Sequence, residues 1–331
     1  MKILITGGAG FIGSHLADEF LKKGEEVVIL DDLSGGFVEN IPKEAKFIEG
    51  STTDRKLVEW LFKKEKFDYV YHLAAYAAEG LSHFIRNFNY ENNVLGTVNI
   101  TNECIKNKVK CLAYFSSMAV YGSEQVPFKE TTMPAPEDPY GISKYAMELD
   151  IKASHEMFGL NYIIFRPHNV YGERQNIGDR YRNVIGIFIN KALKGQPFTI
   201  FGDGEQQRAF SYISDVAPFI ADAVYREDLY GETFNVGADE PYSVNQLACI
   251  VSKEFGIEMI TEELPERYEV RNAFCDHTKI KEVFAYKAKV SLEEGVHKMS
   301  EWARKIGAKK TEQLGKIEIF EKLPQVWLRE E

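Results

Sequence analysis

The sequence has few cysteines, no long apolar run and no excess of basic residues. Its four cysteines, Cys104, Cys111, Cys249 and Cys275, are scattered and lack the spacing of a metal site. We therefore expect no bound metal, and buried free thiols in a reducing cytoplasm. The apolar run at the start is too short for a signal peptide, and no stretch is long enough to span a membrane.

Acidic residues outnumber basic residues by 50 to 40, which gives a formal net charge of −10. This balance argues against nucleic acid as the main partner, and an anionic substrate would need specific arginines instead of a generally basic surface. The hydrophobic content of 44% is ordinary for a soluble globular protein. With 331 residues, the chain can form a main domain with a smaller appendage.

Short apolar runs alternate with helical patterns up to about residue 166. Strands are predicted at 3–6, 27–30, 46–49, 69–73, 111–116 and 162–165, and helices at 14–23, 57–64, 90–106 and 143–158. This alternation predicts an α/β fold with a parallel, doubly wound sheet. The pattern loosens after Arg166-Pro167. We predict a domain over 1–168, to which about 208–240 return, and a smaller, interleaved C-terminal α/β substrate lobe over 169–331.

A glycine-rich turn joins the first predicted strand to the first predicted helix. It fits two overlapping spacings, which begin at Gly7 or Gly8 and share Gly10 and Gly13. Glycine allows a tight turn and a close approach of backbone N–H groups to a pyrophosphate at the helix N-terminus. Asp31 follows at about the distance expected for the acid that binds the adenosine ribose. Because Asp31 would repel a 2′-phosphate, the sequence predicts a Rossmann-type site for NAD.

Tyr140 and Lys144 form a second chemical signal. Residues i and i+4 share one face of a helix, so the Lys144 ammonium can lie near the Tyr140 oxygen. A nearby positive charge lowers the pKa of tyrosine from about 10. The pair predicts a general base that takes a proton from a hydroxyl while the cofactor takes the hydride. By itself, such a pair is more often surface packing.

Further segments occur in a fixed order along the chain. They are 72–75 (His-Leu-Ala-Ala), 93–97, 116–122 (Ser-Ser-Met-Ala-Val-Tyr-Gly), 166–172 (Arg-Pro-His-Asn-Val-Tyr-Gly), 201–204 and 208–215. Together with the glycines and Tyr140-x-x-x-Lys144, they resemble the extended short-chain dehydrogenase/reductases of the nucleotide-sugar epimerase/dehydratase type over about residues 1–290. The resemblance implies NAD as cofactor, a UDP-sugar substrate, and a homodimer formed through helices 90–106 and 143–158.

The resemblance also implies roles for individual residues. Ser117 would bind the reacting sugar oxygen, Tyr140 would be the base and acid, and Lys144 would tune it. Implied at the cofactor are Gly7, Gly10, Phe11, Ile12, Gly13, Asp31, Asp32, Asp54 (at the adenine edge), Leu73, Ala74, Ala75, Asn93, Tyr140 and Lys144. Implied at the substrate are Ser117, Tyr140, Asn169, Arg208 and Arg267. Arg267 is favoured over Arg271 as the second arginine at the diphosphate.

The residues after Ser117 separate the branches of this family. The 4,6-dehydratases have Asp-Glu where this chain has Met118-Ala119, the decarboxylases keep the Glu, and the GDP-mannose 3,5-epimerases have a cysteine at the second position. Neither Met nor Ala can move a proton. The resemblance therefore implies 4-epimerisation through a transient 4-keto sugar, in which the hydride leaves and returns and the NAD is recycled.

UDP-glucose/UDP-galactose is the first substrate pair that the resemblance implies. Ala273 stands where a bulky aromatic can block an N-acetyl group, so N-acetylhexosamines are also predicted, although a one-residue shift in the alignment would bring Phe274 there. The alternative is a UDP-glucuronate 4-epimerase, but that branch has Thr and Arg in place of Asn169 and Asn176. Another nucleotide-sugar oxidoreductase or dehydratase, or a non-catalytic NAD-binding regulator, remains open.

Overall fold

Seven parallel strands form the central sheet in the computed structural model, which describes residues 1–123, 126–266, 269–310 and 317–327. The strands of the chain are β1 (Lys2–Thr6), β2 (Glu26–Asp31), β3 (Lys46–Glu49), β4 (Tyr69–His72), β5 (Cys111–Phe115), β6 (Tyr162–Pro167), β7 (Val170–Tyr171), β8 (Phe198–Phe201), β9 (Gln207–Ala209), β10 (Ser211–Tyr212), β11 (Thr233–Val236), β12 (Pro241–Ser243), β13 (Thr261–Leu264) and β14 (Asn272–Ala273). The central sheet has the order β11-β6-β5-β4-β1-β2-β3, with every pair parallel.

Helices cover both faces of this sheet. They are α1 (Phe11–Lys22), α2 (Arg55–Glu65), α3 (Glu79–Ser82), α4 (Arg86–Tyr90), α5 (Gly96–Lys106), α6 (Pro139–Phe158), α7 (Val184–Lys194), α8 (Ile213–Ala223), α9 (Val244–Phe255), α10 (Thr278–Phe284) and α11 (Leu292–Ile306). Short 3₁₀ helices lie at Val38–Asn40, Met118–Tyr121, Glu227–Leu229 and Gln325–Trp327. No helix within the described ranges has both the length and the apolar character needed to cross a bilayer.

The two faces of the sheet bury alternate residues of each strand. On one face Ile3 and Ile5 belong to the same core as Phe20 of α1, and on the other Leu4 belongs to a core with Phe62 of α2. Strands buried on both faces read as continuous apolar runs instead of alternating ones, as Ile3-Leu4-Ile5 does. The predicted doubly wound α/β fold is confirmed.

Two predicted helices begin earlier than their apolar pattern indicates. The helix predicted at 143–158 starts at Pro139, because Asp138 caps it by accepting a hydrogen bond from the Gly141 N–H at 2.9 Å. Asp-Pro at a helix start is the usual N-cap and first-turn chemistry. Tyr140 therefore lies in the first turn of α6. The helix predicted at 90–106 begins at α4 and passes through a π-helical turn at Glu91–Leu95 before α5.

The C-terminal part of the chain forms small sheets that pack with α7, α9 and α11. The sheets are β10-β7, β12-β9-β14 and β13-β8, and Phe188, Leu247 and Val296 share their core. The chain returns to the central sheet once, where β11 pairs with β6. We keep as a proposal the division into an NAD-binding domain over 1–168 and a substrate lobe over 169–331.

Residues 317–327, which we call the tail, pack against α3 and α4. Leu323 and Trp327 are 4% exposed and share a core with Leu81 and Ile85. The Glu318 carboxylate accepts hydrogen bonds from the first N–H groups of α4. The tail thus fixes two helices that lie far from it in the sequence.

Candidate active site

A single cleft runs along the carboxyl ends of β1, β2, β4, β5 and β6, where open parallel sheets bind ligands. Most of the predicted site residues line it. They are Gly7, Gly10, Phe11, Ile12, Gly13, Asp31, Asp32, Leu73, Ala74, Ala75, Ser117, Tyr140, Lys144, Asn169 and Arg208. Asp54 and Asn93 do not line the cleft, and Arg267 lies outside the described residues.

The glycine turn has the shape that a pyrophosphate needs. Gly7 has φ +71°, and a Cβ there would lie 2.8 Å from the Ala74 nitrogen. A Cβ on Gly13 would lie 2.3 Å from the Gly7 oxygen, so the close contact of turn and helix requires glycine. The first N–H groups of α1 have no acceptor within their own helix, and they carry the positive end of its dipole. The turn therefore fits an anionic diphosphate.

Asp31 lies at the end of β2 and is 8% exposed. Its Oδ2 accepts from the Ala9 N–H at 3.0 Å, and its Oδ1 accepts from the Leu33 N–H at 2.9 Å. Burial raises the pKa of Asp31, while these hydrogen bonds lower it. A carboxylate can accept more than two hydrogen bonds, so Asp31 can also accept from ribose hydroxyls. The adenosine end of the cleft fits NAD.

Asp54 and Asn93 hold backbone beside the cleft. Asp54 caps α2, where its Oδ1 accepts from the Lys56 and Leu57 N–H groups at 3.0 Å each. Both bonds use Oδ1, so the expected contact of Asp54 with the adenine edge stays a prediction, and the neighbouring residues 51 and 52 line the cleft. Asn93 is buried, and its Oδ1 accepts from the Tyr76 N–H at 2.8 Å. Asn93 therefore fixes the chain just after Ala75.

Ser117, Tyr140 and Lys144 lie together on one wall of the cleft. The Lys144 ammonium donates to the Phe115 carbonyl at 2.7 Å and lies 5.9 Å from the centre of the Tyr140 ring. Burial lowers the pKa of Lys144 to about 7. Burial also raises the pKa of Tyr140, while a hydrogen bond with Ser117 lowers it. Burial has the largest effect on the pKa of Tyr140, and the lowering of this pKa by Lys144 stays a prediction.

A buried ion pair that the sequence analysis missed supports this wall. The Arg166 guanidinium donates to both oxygens of Glu148, at 2.9 and 2.6 Å, and to the Tyr121 hydroxyl at 2.7 Å. The Ser116 hydroxyl donates to Glu148 as well. Glu148 is one helical turn beyond Lys144 and raises its pKa, against the effect of burial. In the sequence, Glu148 could have been recognised as part of this site because Tyr140, Lys144 and Glu148 follow each other at intervals of four residues and share one helix face.

Charged residues outside the predicted motifs surround the Tyr140 hydroxyl. Glu79 and Asp138 raise the pKa of Tyr140, and Arg182 lowers it, although burial has the larger effect. The Arg182 guanidinium donates to Asp179 at 2.6 Å and lies 4.9 Å from the centre of the Tyr76 ring. No motif in the sequence marks these side chains, because loops and short helices bring them together.

Asn169 and Arg208, two of the residues predicted at the diphosphate, also line the cleft. Asn169 has φ +40°, and its buried Nδ2 has no hydrogen-bond partner in the described part of the chain. The Arg208 guanidinium donates to the Arg271 and Val270 carbonyls at 2.8 and 2.6 Å, which fixes its plane at the cleft. Ala273 is 3% exposed and does not line the cleft, so the predicted N-acetyl gate is not at this position.

The sequence and the fold were compared with known proteins. The model of the NAD dependent epimerase/dehydratase family matches residues 3–237. The chain belongs to the NAD dependent epimerase/dehydratase family. Its predicted family and its cofactor, NAD, are thereby confirmed.

Solved structures of nucleotide-sugar epimerases share the fold over most of the chain. The Thermotoga maritima UDP-glucose 4-epimerase with UDP-glucose is 36% identical, with a TM-score of 0.88 over 92% of this chain and 99% of that one. The Thermus thermophilus UDP-glucose 4-epimerase with NAD is 31% identical, with a TM-score of 0.87 over 92% and 99%. The Bacillus cereus UDP-glucuronic acid 4-epimerase, with UDP-glucuronic acid and NAD, is 29% identical, with a TM-score of 0.85 over 92% and 100%. As an epimerase/dehydratase, the protein acts on a nucleotide-sugar.

Proposed function

We propose that the protein catalyses the NAD-dependent 4-epimerisation of a UDP-hexose, UDP-glucose/UDP-galactose, through a transient 4-keto sugar. The observation that carries this proposal is the group of Ser117, Tyr140 and Lys144 on one wall of the cleft, next to Met118 and Ala119. Dehydration across C5 and C6 needs an additional acid or base beside the serine, and neither Met nor Ala can transfer a proton.

Each residue then has one task. Tyr140 takes the proton of the sugar 4-hydroxyl and later returns it, while Ser117 holds the same oxygen. NAD, held by the glycine turn and Asp31, supplies the hydride chemistry. The buried Lys144 places an ammonium beside the phenol and stabilises the phenolate that forms during the reaction. Asn169 and Arg208 hold the diphosphate about which the keto sugar turns to present its other face.

The charges near Tyr140 favour a neutral sugar. Glu79 and Asp138 act on its hydroxyl as negative charges, and they would repel a uronate in the same way. Asn176 is uncharged, and its Oδ1 accepts from the Gly178 N–H at 3.0 Å. Arg174 pairs with Asp18 on α1 at 2.7 Å and does not line the cleft.

UDP-glucuronate 4-epimerisation is the second candidate. One observation favours it: Arg182 lines the cleft and lowers the pKa of Tyr140, so its positive charge acts at the site where the sugar would bind. Asp179 already pairs with this guanidinium at 2.6 Å, which weakens its attraction for a substrate carboxylate. For this reason we rank the neutral hexose first.

The test is the formation of the C4 epimer, measured by NMR or anion-exchange chromatography without added NAD. UDP-glucose, UDP-GlcNAc and UDP-glucuronate are supplied separately. Conversion of UDP-glucose with no net change in absorbance at 340 nm supports the proposal, whereas stoichiometric NADH release with added NAD indicates a dehydrogenase. Failure to convert any of the three, with NAD bound, would reject a UDP-sugar 4-epimerase.

Tyr140→Phe tests the assigned base directly. We expect it to lower kcat by about 10²–10⁴-fold, the usual contribution of a general acid–base group. Tyr145→Phe is the matched control, since Tyr145 is a half-buried tyrosine of the same helix that does not line the cleft. If Tyr140→Phe retained full activity, the assignment of Tyr140 as the base would be wrong. If the wild-type protein instead contained NAD but turned over no substrate, a non-catalytic NAD-binding role would fit.

Two further expectations accompany this proposal. We propose a cytoplasmic enzyme, and a homodimer that forms through α5 and α6. In support of the homodimer, Leu149 of α6 is 50% exposed and Leu95, just before α5, is 57% exposed. Analytical ultracentrifugation of the protein and of Leu149→Asp would test the dimer, which the variant should weaken.

A further inference from the structure

Two buried histidines meet behind the substrate wall of the cleft. The Nε2 atoms of His168 and His277 are 2.8 Å apart, and both residues are almost fully buried. The His168 Nδ1 lies 3.2 Å from the Ala209 carbonyl oxygen, and the His277 Nδ1 lies 3.0 Å from Asp239 Oδ1. Four imidazole nitrogens therefore form a continuous row between two oxygen atoms.

The contact between the two rings depends on Gly237, which follows β11. A Cβ at this position would lie 1.9 Å from the His168 Nε2. Any other residue would thus displace the His168 ring from its place beside His277. The two histidines are 109 residues apart. Pairing of β11 with β6 brings Gly237 beside His168, and the Asp276 N–H, which donates to the Phe128 carbonyl at 2.8 Å, helps to fix His277.

Counting hydrogens along this row gives its charge. The Ala209 carbonyl can only accept a hydrogen bond. Asp239 is also only an acceptor, because hydrogen bonds from His277 and Lys281 lower its pKa to about 2 and keep it ionised. Both Nδ1 atoms must therefore carry a hydrogen, and the short Nε2–Nε2 contact needs one more. The row holds three protons, whereas two neutral imidazoles hold only two.

We propose that His168 and His277 share three protons at neutral pH and form a buried cation, balanced by Asp239, that positions and attracts the substrate diphosphate. This proposal rests on the proposed function for the identity of the diphosphate. The additional proton belongs mainly to His277, because the Asp239 carboxylate lies against this ring, whereas burial lowers the pKa of His168 to about 3. With only two protons, one of the three contacts would bring two lone pairs together.

The position of the pair connects it to the substrate. His168 lines the cleft and directly precedes Asn169, while its partner Ala209 directly follows Arg208. The two residues assigned to the diphosphate are thus held to each other through the His168 ring. A positive charge just behind them favours a substrate that carries two phosphates. His277 and Asp239 act through His168 and are positioning residues.

Other charged and titratable groups lie near the pair, on α10, on the residues beside this helix and on the side of the cleft. Lys281 of α10 pairs with Asp239, and the Asp276 carboxylate accepts from the Thr278 N–H at 2.8 Å and so points into its own turn. From the side of the cleft, the pair faces Arg208. The Tyr286 phenol, whose pKa Asp239 raises in addition to burial, remains neutral. Asp239 is therefore the anion that compensates the cation.

The state of the row should change when the pH is raised. Once the third proton is lost, one contact has no hydrogen and the charge behind the diphosphate disappears. Substrate binding should then weaken, so KM should rise with pH. The chemical step uses Tyr140 and not this pair, so kcat should not follow the same curve.

The first experiment observes the protons and needs no activity. The protein, whose seven histidines are labelled with ¹⁵N, is studied by NMR near pH 7, and signals are assigned with His168→Gln and His277→Gln. We expect hydrogens on both nitrogens of His277 and only on Nδ1 of His168. A His277 nitrogen without hydrogen at this pH would overturn the shared cation, whether or not the protein is a UDP-sugar epimerase.

The second experiment tests the effect on the substrate in the full-length enzyme. His277→Gln should raise KM for the UDP-sugar about tenfold, as expected for the loss of one buried charge that Asp239 largely compensates. It should change kcat little, and KM should no longer depend on pH. His297→Gln is the control, because this exposed histidine also pairs with a carboxylate, Glu254 at 3.1 Å. An unchanged KM in His277→Gln would reject the substrate role.

Asp239→Asn serves as a second variant in case His277→Gln does not fold, since the Asp239 side chain is 55% exposed. Removing the compensating anion should make the third proton easier to lose, so the rise in KM should occur at lower pH. An identical pH profile in wild type and variant would contradict the proposal. If the wild type converts no UDP-sugar at all, the proposed function fails, while the NMR result still decides the protonation of the pair.

Discussion

Replacing Glu148 by glutamine is expected to destabilise the protein strongly. Glu148 and Arg166 form an ion pair whose side chains are 0% and 3% exposed, and Ser116 and Tyr121 complete the group. The pair joins the helix that carries Tyr140 to the ends of β5 and β6. Its loss should therefore affect both the stability and the wall of the active site.

The magnitude follows from burial. Glutamine keeps the size of Glu148 but removes the negative charge, so Arg166 remains a buried cation without its anion. Breaking a buried pair in this way costs about 3–5 kcal/mol. Since domains are stable by only about 5–15 kcal/mol, this loss is at least about a fifth of the total. Tyr121→Phe removes one hydrogen bond to Arg166 and should cost about 1–3 kcal/mol.

Urea unfolding followed by circular dichroism measures this difference. The midpoint for Glu148→Gln should fall while the slope of the transition stays the same, since the exposed surface does not change. Glu156→Gln is the matched control on the same helix, because Glu156 is exposed, and its effect should stay within about 0.5 kcal/mol. A loss below about 1 kcal/mol for Glu148→Gln would show that the pair does not support the fold as argued here.

Four other changes test separate parts of the site. Gly13→Ala should abolish NAD binding and lower the stability of the fold by about 1–3 kcal/mol or more, because its Cβ would lie 2.3 Å from a backbone oxygen. The content of bound nucleotide and thermal unfolding measure these two effects, and a normal NAD content would contradict the prediction. Asp54→Ala should cost about 1 kcal/mol through loss of the helix cap and should lower NAD affinity in calorimetry; an unchanged affinity would contradict the predicted adenine contact. Lys144→Met should stabilise the NAD-free protein against urea, most of all below pH 7. The pKa of Lys144 is about 7 in the folded protein against an ordinary 10.5, so the unfolded state binds more protons between these two pH values. Wild-type stability therefore rises with pH in this range, and the stability advantage of the variant should shrink. A stability advantage that does not depend on pH would refute this. Trp327→Ala should lower kcat/KM about tenfold but leave the NAD content intact, since Trp327 packs on Tyr181 and Phe84 at the sugar end. Phe320→Ala, at an exposed position of the same tail, is its control.

Local patterns were sufficient to predict most of the sheet and the cofactor end of the cleft. The buried strands are short apolar runs. The glycine turn and Asp31 lie within one strand–helix–strand unit, so residues close in the sequence determine their geometry. The predicted adenine contact of Asp54 stays a prediction, because an acid before a helix can bind a ligand, cap the helix or do both. The sequence Asp54-Arg55-Lys56-Leu57 follows the capping pattern.

Long-range partners could not be predicted from such patterns. Arg166 meets Glu148 because β6 lies beside β5 and α6 covers both, and His168 meets His277 where the segments that follow β6 and β14 come together. The same holds for the charges at the Tyr140 hydroxyl, where Arg182 comes from a loop and Glu79 from a four-residue helix. Sequence periodicity indicates which face of an element is buried, but it does not indicate what covers that face.

The tail has a consequence for the order in which the protein is synthesised. The glycine turn and β1 leave the ribosome well before the tail, and Rossmann-type strands can begin to pair as they emerge. The helices α3 and α4, however, bury Leu81 and Ile85 against Leu323 and Trp327, which follow them by more than 200 residues. A nascent chain can therefore assemble its cofactor end early in translation, whereas its sugar end is completed only once the tail has emerged. A chain truncated shortly before Trp327 would still bind the dinucleotide, but the sugar end of its cleft would not be fully folded.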